Sequence, residues 1–309
     1  MQGNKIRQNP FVVAPALAFV LLLVIGIAGR FPIASIGSVG AYAVLMLLML
    51  VGYGIPTVAF FAIRGSGALR ASFRPITKRS LSVSFAVAFT LIVQSVLLRA
   101  GICRASYDYR TYTVFGGAFE TQADSFGSFL LIILSLCIFP VLLEGLFFRG
   151  ILMHEYRHGG FFLSAFFSSL LYAMTAMTFS AQPFLAFLEG FLLALCGYLT
   201  GNLVCSMLSH GIYLIFALFA ERYFYFIAGE SETRVLFFLI FGSFYLLFLY
   251  RLFHTSELLF RERGEREEAL PPRIPKKKAL LVIYDMVTAR FFSADILCFV
   301  LFAVLNLLL

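Results

Sequence analysis

The sequence predicts an all-α protein, a polytopic transmembrane helical bundle of about eight or nine spans. Of the 309 residues, 61% are hydrophobic and only 13% are charged, whereas about a quarter of the residues in a soluble domain are charged. The mean hydropathy is +0.93. The apolar runs reach about 20 residues, the length that a helix needs to cross about 30 Å of hydrocarbon. None of them alternates with a period of two, so helices are favoured over a barrel of strands.

Nine apolar runs are candidate spans, and they must form helices to satisfy their backbone hydrogen bonds in lipid. They cover residues 11–29, 37–63, 81–98, 125–157, 161–179, 183–200, 203–220, 234–253 and 291–309. The first run follows Lys5 and Arg7, as in a signal peptide. We interpret it as a retained span, because no A-x-A cleavage site follows it and more spans come after it.

The basic residues predict the orientation, because Lys and Arg in short loops tend to stay in the cytoplasm. With a cytoplasmic N-terminus, 18 of the 24 Lys and Arg residues lie on the inner side. Loops 64–80 and 254–278 are then cytoplasmic, and loop 99–124 is the longest outer loop. Since topology accounts for the net charge of +8, we infer membrane lipids as partners and no nucleic acid.

Few polar residues lie inside the spans, where charged and imidazole groups cost several kcal/mol and therefore indicate function. The ionisable ones are Glu144, Arg149, Glu189, His210 and, near the last interface, Asp295. Two rows with helical spacing add Ser164, Ser168 and Tyr172, and Asn202, Ser206 and His210. Each row favours either a polar cleft or hydrogen bonds that join helices.

The fourth run contains a recognisable motif, FPVLLEGLFFRGIL from Phe139 to Leu152. It resembles the first motif of the CPBP family of intramembrane proteases, which includes the CAAX-processing enzymes and bacteriocin-related proteins. The matching positions are Pro140, Glu144, Phe148, Arg149 and Gly150. Gly145 stands where the family has a second Glu.

Two further motifs of that family match in part. In YLTGNLVCSMLSHGIYL, residues Thr200, Gly201, Leu203 and His210 are in register, but Leu214 replaces the family's Asn. In the intervening span, Tyr172 aligns with the Phe and Ala176 with the His of the second motif. The resemblance covers residues 123–220 and implies a CPBP-like four-helix core, flanked by N-terminal helices in 1–122 and C-terminal helices in 221–309.

The resemblance implies a catalytic set of Glu144, Arg149 and His210. In the family the first Glu activates a water, while two His and the Asn hold a metal or polarise the scissile carbonyl. Zinc or another divalent metal is therefore implied, with His210 and Glu144 as candidate ligands. The site is incomplete, since zinc takes at least three protein ligands. Glu189 is a candidate substitute ligand, because straight helices place it at an overlapping depth.

Two other groups have open interpretations. Arg149 either pairs with a carboxylate or extends to the interface. His154, Glu155 and His158 match the zincin pattern H-E-x-x-H, but we interpret this segment as an interfacial helix end, since the charged Arg157 and the missing third ligand do not suit a zinc cleft.

Three functions remain open. The first is an intramembrane endopeptidase that cleaves membrane-bound or lipidated proteins or peptides, with Glu144 as general base. The second is a catalytically silent relative that serves as a scaffold or regulator. The third is a small transporter that uses Glu144, Glu189 and His210 as a proton path, which the lack of an internal repeat disfavours.

Overall fold

The computed structural model is a bundle of helices with one small β-hairpin. It describes residues 10–29, 38–65, 67–69, 72–73, 75–102, 111–115, 117–121, 125–157, 160–176, 182–229, 231–266 and 294–308. The helices are α1 Pro10–Ala28, α2 Ser38–Arg64, α3 Lys78–Ile102, α4 Phe126–Tyr156, α5 Gly160–Met174, α6 Gln182–Thr200, α7 Leu203–Phe219, α8 Glu221–Gly229, α9 Ser231–Arg266 and α10 Ala294–Leu308. The strands are β1 Thr111–Val114 and β2 Gly117–Glu120.

The helices agree with the predicted fold class. Five helices in the described parts of the chain, α2, α3, α4, α6 and α9, are long and apolar enough to cross a membrane, and shorter apolar helices accompany them. All nine predicted runs coincide with helices. The protein is therefore an integral membrane protein with an all-α bundle. The cytoplasmic placement of the N-terminus and of loops 64–80 and 254–278 stays a prediction.

Two sequence-based boundaries need correction. The predicted linker 254–278 begins inside a helix, since α9 continues to Arg266; its residues beyond 266 lie outside the described part. The predicted span 161–179 is shorter than expected, because α5 ends at Met174 and a turn follows.

Helix α4 is not a regular α-helix. It winds as a π-helix at Leu134–Ile138 and again at Gly145–Leu152. Pro140 has no N–H to donate, and just before it the N–H of Phe139 bonds to Leu134 O, five residues back. Such wide turns often occur at functional sites. Since a π-helix bonds residues five apart, the second segment places Glu144 and Arg149 one turn apart.

The β-hairpin lies in the predicted outer loop 99–124, for which no strand was predicted. Thr111 pairs with Glu120 and Val114 with Gly117. Because the hairpin joins the end of α3 to the start of α4, it lies at one end of the bundle, here called the hairpin end. Phe115, in the turn, has a φ of 51°, a left-handed conformation that costs an ordinary residue about 1 kcal/mol.

Two flanking pairs of helices complete the bundle. Cys298 Sγ of α10 lies 3.4 Å from Pro15 O of α1, so the last described helix packs on the first. Phe248 of α9 stacks on Phe89 of α3 with ring centroids 5.6 Å apart. The polar residues of α4, α6 and α7 lie in the middle of the bundle, which these pairs flank.

Candidate active site

Glu144 lies buried in the bundle, with 8% of its surface exposed. The hydroxyl of Tyr53, from α2, donates a hydrogen bond to Glu144 Oε1 over 3.3 Å. The Tyr53 ring contacts Phe147 and Phe148 edge to face, at 5.9 and 6.1 Å between centroids. These contacts fix the tyrosine, and with it one oxygen of the carboxylate, so Glu144 is held in place by a helix outside the motif.

Arg149 is buried as well, at 6% exposure. Its guanidinium carbon lies 4.5 Å from the centre of the Tyr172 ring, a cation–π distance. Its two terminal nitrogens have no hydrogen-bond partner among the described residues. Among the described residues, no hydrogen bond joins these nitrogens to a carboxylate, and the buried side chain does not extend to the interface. At the position of the family's second Glu, Gly145 offers no carboxylate that could accept from them.

The space beside Gly145 is filled by Met207. A Cβ built on Gly145 would meet Met207 Cγ at 2.8 Å. Met207 comes from α7, the helix that carries His210. The apolar thioether side chain thus occupies the room that a second carboxylate would need, which leaves Arg149 facing the aromatic ring of Tyr172 instead.

Glu189 and His210 are in contact. His210 Nε2 lies 3.1 Å from Glu189 Oε1, and the Tyr172 hydroxyl donates to the same oxygen over 3.0 Å. His210 is 1% exposed. The predicted approach of Glu189 to His210 is therefore seen in the structure, whereas a direct contact between Glu144 and Glu189 is not.

The β-hairpin covers the cluster from the hairpin end. Phe115 contacts the Tyr53 ring, with 6.4 Å between centroids, and Phe119 contacts Tyr42 at 5.9 Å. Tyr42 also donates a hydrogen bond to the backbone oxygen of Glu120. Burial raises the pKa of Tyr112 well above its ordinary value, and nearby groups that include Glu189 raise this pKa further. Tyr112 therefore faces the polar interior.

Two of the three serines in the polar rows join helices. Ser168 Oγ donates to Phe148 O over 2.6 Å, and Ser206 Oγ donates to Leu193 O over 2.7 Å. Asn202 caps α7 by accepting a hydrogen bond from the Val204 N–H. The rows were predicted either to line a polar cleft or to form hydrogen bonds between helices, and the contacts of Ser168 and Ser206 are of the second kind.

The H-E-x-x-H segment is a structural element. Glu155 accepts two hydrogen bonds from Arg64 of α2, at 2.9 and 2.6 Å. The ring of His154 contacts Phe60 edge to face at 6.0 Å. Arg157 is exposed, and His158 lies outside the described residues. This agrees with the interpretation of the segment as a helix end.

The donor set does not fit zinc. Within the described ranges, no three His, Cys, Asp or Glu side chains are grouped so that they could hold a metal ion. Ala176 and Leu214 bring no donor atom to the positions of the family's His and Asn. Glu189 contacts His210, but Glu144 is held by Tyr53 and does not join them. The Asp295 side chain is outside the described part of the chain.

The comparison with protein families agrees with this architecture. A family model described as type II CAAX prenyl endopeptidase, Rce1-like, matches residues 126–216. This segment is similar to that family, and we call it the Rce1-like segment. The match lies within the predicted core of residues 123–220 and confirms the resemblance to CAAX-type proteases. No curated protein and no solved structure matches the chain significantly.

The Rce1-like segment spans α4 to α7 and holds four of the site residues. One interacting residue was not identified from the sequence, and the contact of another was not predicted. Tyr53 lies outside the segment, in an apolar run whose spacing shows no link to Glu144. Tyr172 was identified as a member of a polar row and as the counterpart of the family's Phe, but the contact of its hydroxyl with Glu189 was not predicted. The sequence did contain an indication of this contact, because Tyr172 carries a hydroxyl at a position where the family has Phe.

Proposed function

We propose that this protein is a CAAX-type intramembrane endopeptidase that hydrolyses a peptide bond in membrane-associated or lipidated proteins. The observation that carries the proposal is the burial of Glu144, Arg149 and His210 within an Rce1-like segment. Tyr172 links two parts of this set, because its ring lies under Arg149 and its hydroxyl bonds to Glu189, which contacts His210. Ionisable groups in a membrane bundle are costly and are found mainly where they act.

Peptide hydrolysis needs a base for the attacking water and a donor for the developing oxyanion. Glu144 is the base, and the Tyr53 hydrogen bond aims its carboxylate. Arg149 is the oxyanion donor, because the free N–H groups of its terminal nitrogens have no other described partner. Arg149 would thus polarise the scissile carbonyl, which in the family is a role of the His and Asn that are replaced here by Ala176 and Leu214.

If the protein were a catalytically silent scaffold, Glu144 would have no catalytic role. A scaffold would gain stability from an apolar residue at this position, since an unneeded buried carboxylate costs free energy. The two alternatives differ in whether cleavage occurs and whether it depends on Glu144.

The test uses full-length protein in liposomes. The substrate is a peptide with a prenylated cysteine followed by three residues, labelled so that cleavage releases a quenched fluorophore. We expect the wild type to cleave it and Glu144→Gln to lose at least 100-fold in kcat. The control Glu232→Gln removes an exposed carboxylate from α9 and should keep activity within twofold.

Two outcomes contradict the proposal. One is a wild type that cleaves no member of a series with farnesyl, geranylgeranyl and unmodified cysteine, as the silent scaffold requires. The other is cleavage that Glu144→Gln leaves unchanged while its thermal unfolding matches the wild type.

A further inference from the structure

One oxygen of Glu189 serves two groups. Tyr172 donates to Oε1 over 3.0 Å, and His210 Nε2 lies 3.1 Å from the same atom. The Glu189 side chain is 12% exposed and that of His210 is 2% exposed. The carboxylate is therefore fixed between two helices, and its charge acts on the imidazole in a medium that screens it weakly.

Gly190 allows this geometry. A Cβ at position 190 would lie 2.9 Å from Tyr172 Cδ1 and 3.2 Å from Ser169 Cα. Only a residue without a side chain lets α6 approach α5 so closely, and this approach brings the Glu189 carboxylate to the Tyr172 hydroxyl. In the sequence Glu189-Gly190, the first residue supplies the carboxylate and the second allows the helix packing that positions it.

The two nitrogens of the His210 imidazole have different surroundings. The Nε2 atom is at ion-pair distance from Glu189, although the two groups are not aligned as a hydrogen bond. The Nδ1 atom has no hydrogen-bond partner in the described part of the chain. A carboxylate beside one imidazole nitrogen stabilises the imidazolium, as in the dyads of hydrolases, and the proton on Nδ1 is then free to be donated.

We propose that Glu189 is a positioning residue that holds His210 as the general acid of the reaction. The inference rests on the proposed function. Glu144 takes a proton from water, and the resulting hydroxide adds to the scissile carbonyl. As the tetrahedral intermediate collapses, the C–N bond breaks and His210 Nδ1 gives its proton to the leaving nitrogen. Transfer of the proton from Glu144 to His210 through water restores both groups.

This role makes a specific demand on the leaving group. An amide nitrogen must be protonated before it departs, whereas a thiolate departs without a proton because the pKa of a thiol is only about 8.5. Loss of the general acid therefore slows amide cleavage and spares thioester cleavage. A merely structural role of Glu189 would slow both reactions equally.

The experiment compares two prenylated peptides of one sequence that differ only in an amide or a thioester at the scissile bond. Both are given to wild type, Glu189→Gln, His210→Gln and the control Glu232→Gln in liposomes, and hydrolysis without protein is subtracted. We expect kcat for the amide to fall about 100-fold in the first two variants, within the usual range for general acid catalysis. Their kcat for the thioester should stay within about threefold, with KM unchanged for both substrates.

The thioester also reports on folding, because a variant that cleaves it retains a working site. Glu144→Gln should lose both reactions, since water must still be activated. Equal losses on amide and thioester in Glu189→Gln, or no loss on either, would overturn the inference while leaving the proposed function intact. A wild type that cleaves neither substrate overturns the proposed function itself.

Discussion

At the residue scale, the contact of Tyr53 with Glu144 shows how the site depends on a helix outside the Rce1-like segment. The phenol donates to a carboxylate that is buried among Phe147, Phe148 and other apolar groups. A hydrogen bond to a charged group contributes about 1.5–3 kcal/mol. Helix α2 therefore orients the carboxylate of the proposed base.

We expect Tyr53→Phe to lower kcat about tenfold and to leave KM unchanged, because the ring still packs while the carboxylate loses its donor. Tyr42→Phe is the matched control, since that hydroxyl bonds to the backbone of Glu120 and not to the site. Steady-state kinetics on the prenylated reporter measure both variants. An equal effect of the two substitutions would mean that Tyr53 acts only through packing.

The sequence predicted the motif residues better than their partners. Glu144, Arg149 and His210 were identified because they occupy motif positions in spans that otherwise lack charge. Their contacts with Tyr53 and Tyr172 depend on how helices are rotated against one another, and no spacing along the chain records that rotation. The expected pairing of Arg149 with a carboxylate is not seen among the described residues, where its guanidinium lies over the Tyr172 ring of another helix.

At the element scale, the close packing of α5 on α6 depends on Gly190. Gly197, on the same helix, has more room, because a Cβ there would be 3.7 Å from Ser206 Cβ, an ordinary contact distance. The two glycines therefore offer a matched comparison of one substitution in one helix.

We expect Gly190→Ala to destabilise the protein by about 1–3 kcal/mol, the cost of overpacking, and to lower amide cleavage by moving Glu189 away from Tyr172. Gly197→Ala should be neutral or stabilise by up to about 1 kcal/mol, because Ala favours a helix. Thermal unfolding in detergent and reporter kinetics are the measurements. A Gly190→Ala protein as stable and active as the wild type would show that α5 can yield to the added methyl group.

Helices were easier to predict than the hairpin. An apolar run of fixed length must be helical in lipid, so the helix ends fell mostly within a few residues of the predicted ones. The run Thr111 to Glu120 carries β-branched and aromatic residues around Gly-Gly, which is a hairpin signal. Because this run is short and lies in a loop, no strand was predicted there. Its burial could not be predicted, because it depends on a gap between helices.

At the scale of the whole molecule, two ion pairs join helices at opposite ends of the bundle. Arg99 of α3 lies 3.0 Å from Glu221 of α8 at the hairpin end. Arg64 of α2 lies 2.6 Å from Glu155 of α4 at the other end. The second pair is asymmetric, because the Arg64 side chain is 19% exposed and that of Glu155 only 2%.

This asymmetry predicts unequal effects of removing either partner. Arg64→Met leaves a buried unpaired carboxylate, which costs about 3–5 kcal/mol. Glu155→Gln should cost less, because the partly exposed Arg64 can turn its charge outward and the amide still accepts a hydrogen bond. Thermal unfolding of both variants and of the double variant tests this order. The prediction fails if Glu155→Gln is the more damaging change.

The hairpin seated over Tyr53 and Tyr42 has a consequence for turnover. A site covered at one end takes up water and substrate and releases both peptide fragments through the sides that the hairpin leaves open. For the proposed hydrolysis, the released peptide must leave through these sides before the next substrate can bind. A longer cleaved tail should therefore slow the departure of the product more than the cleavage of the bond.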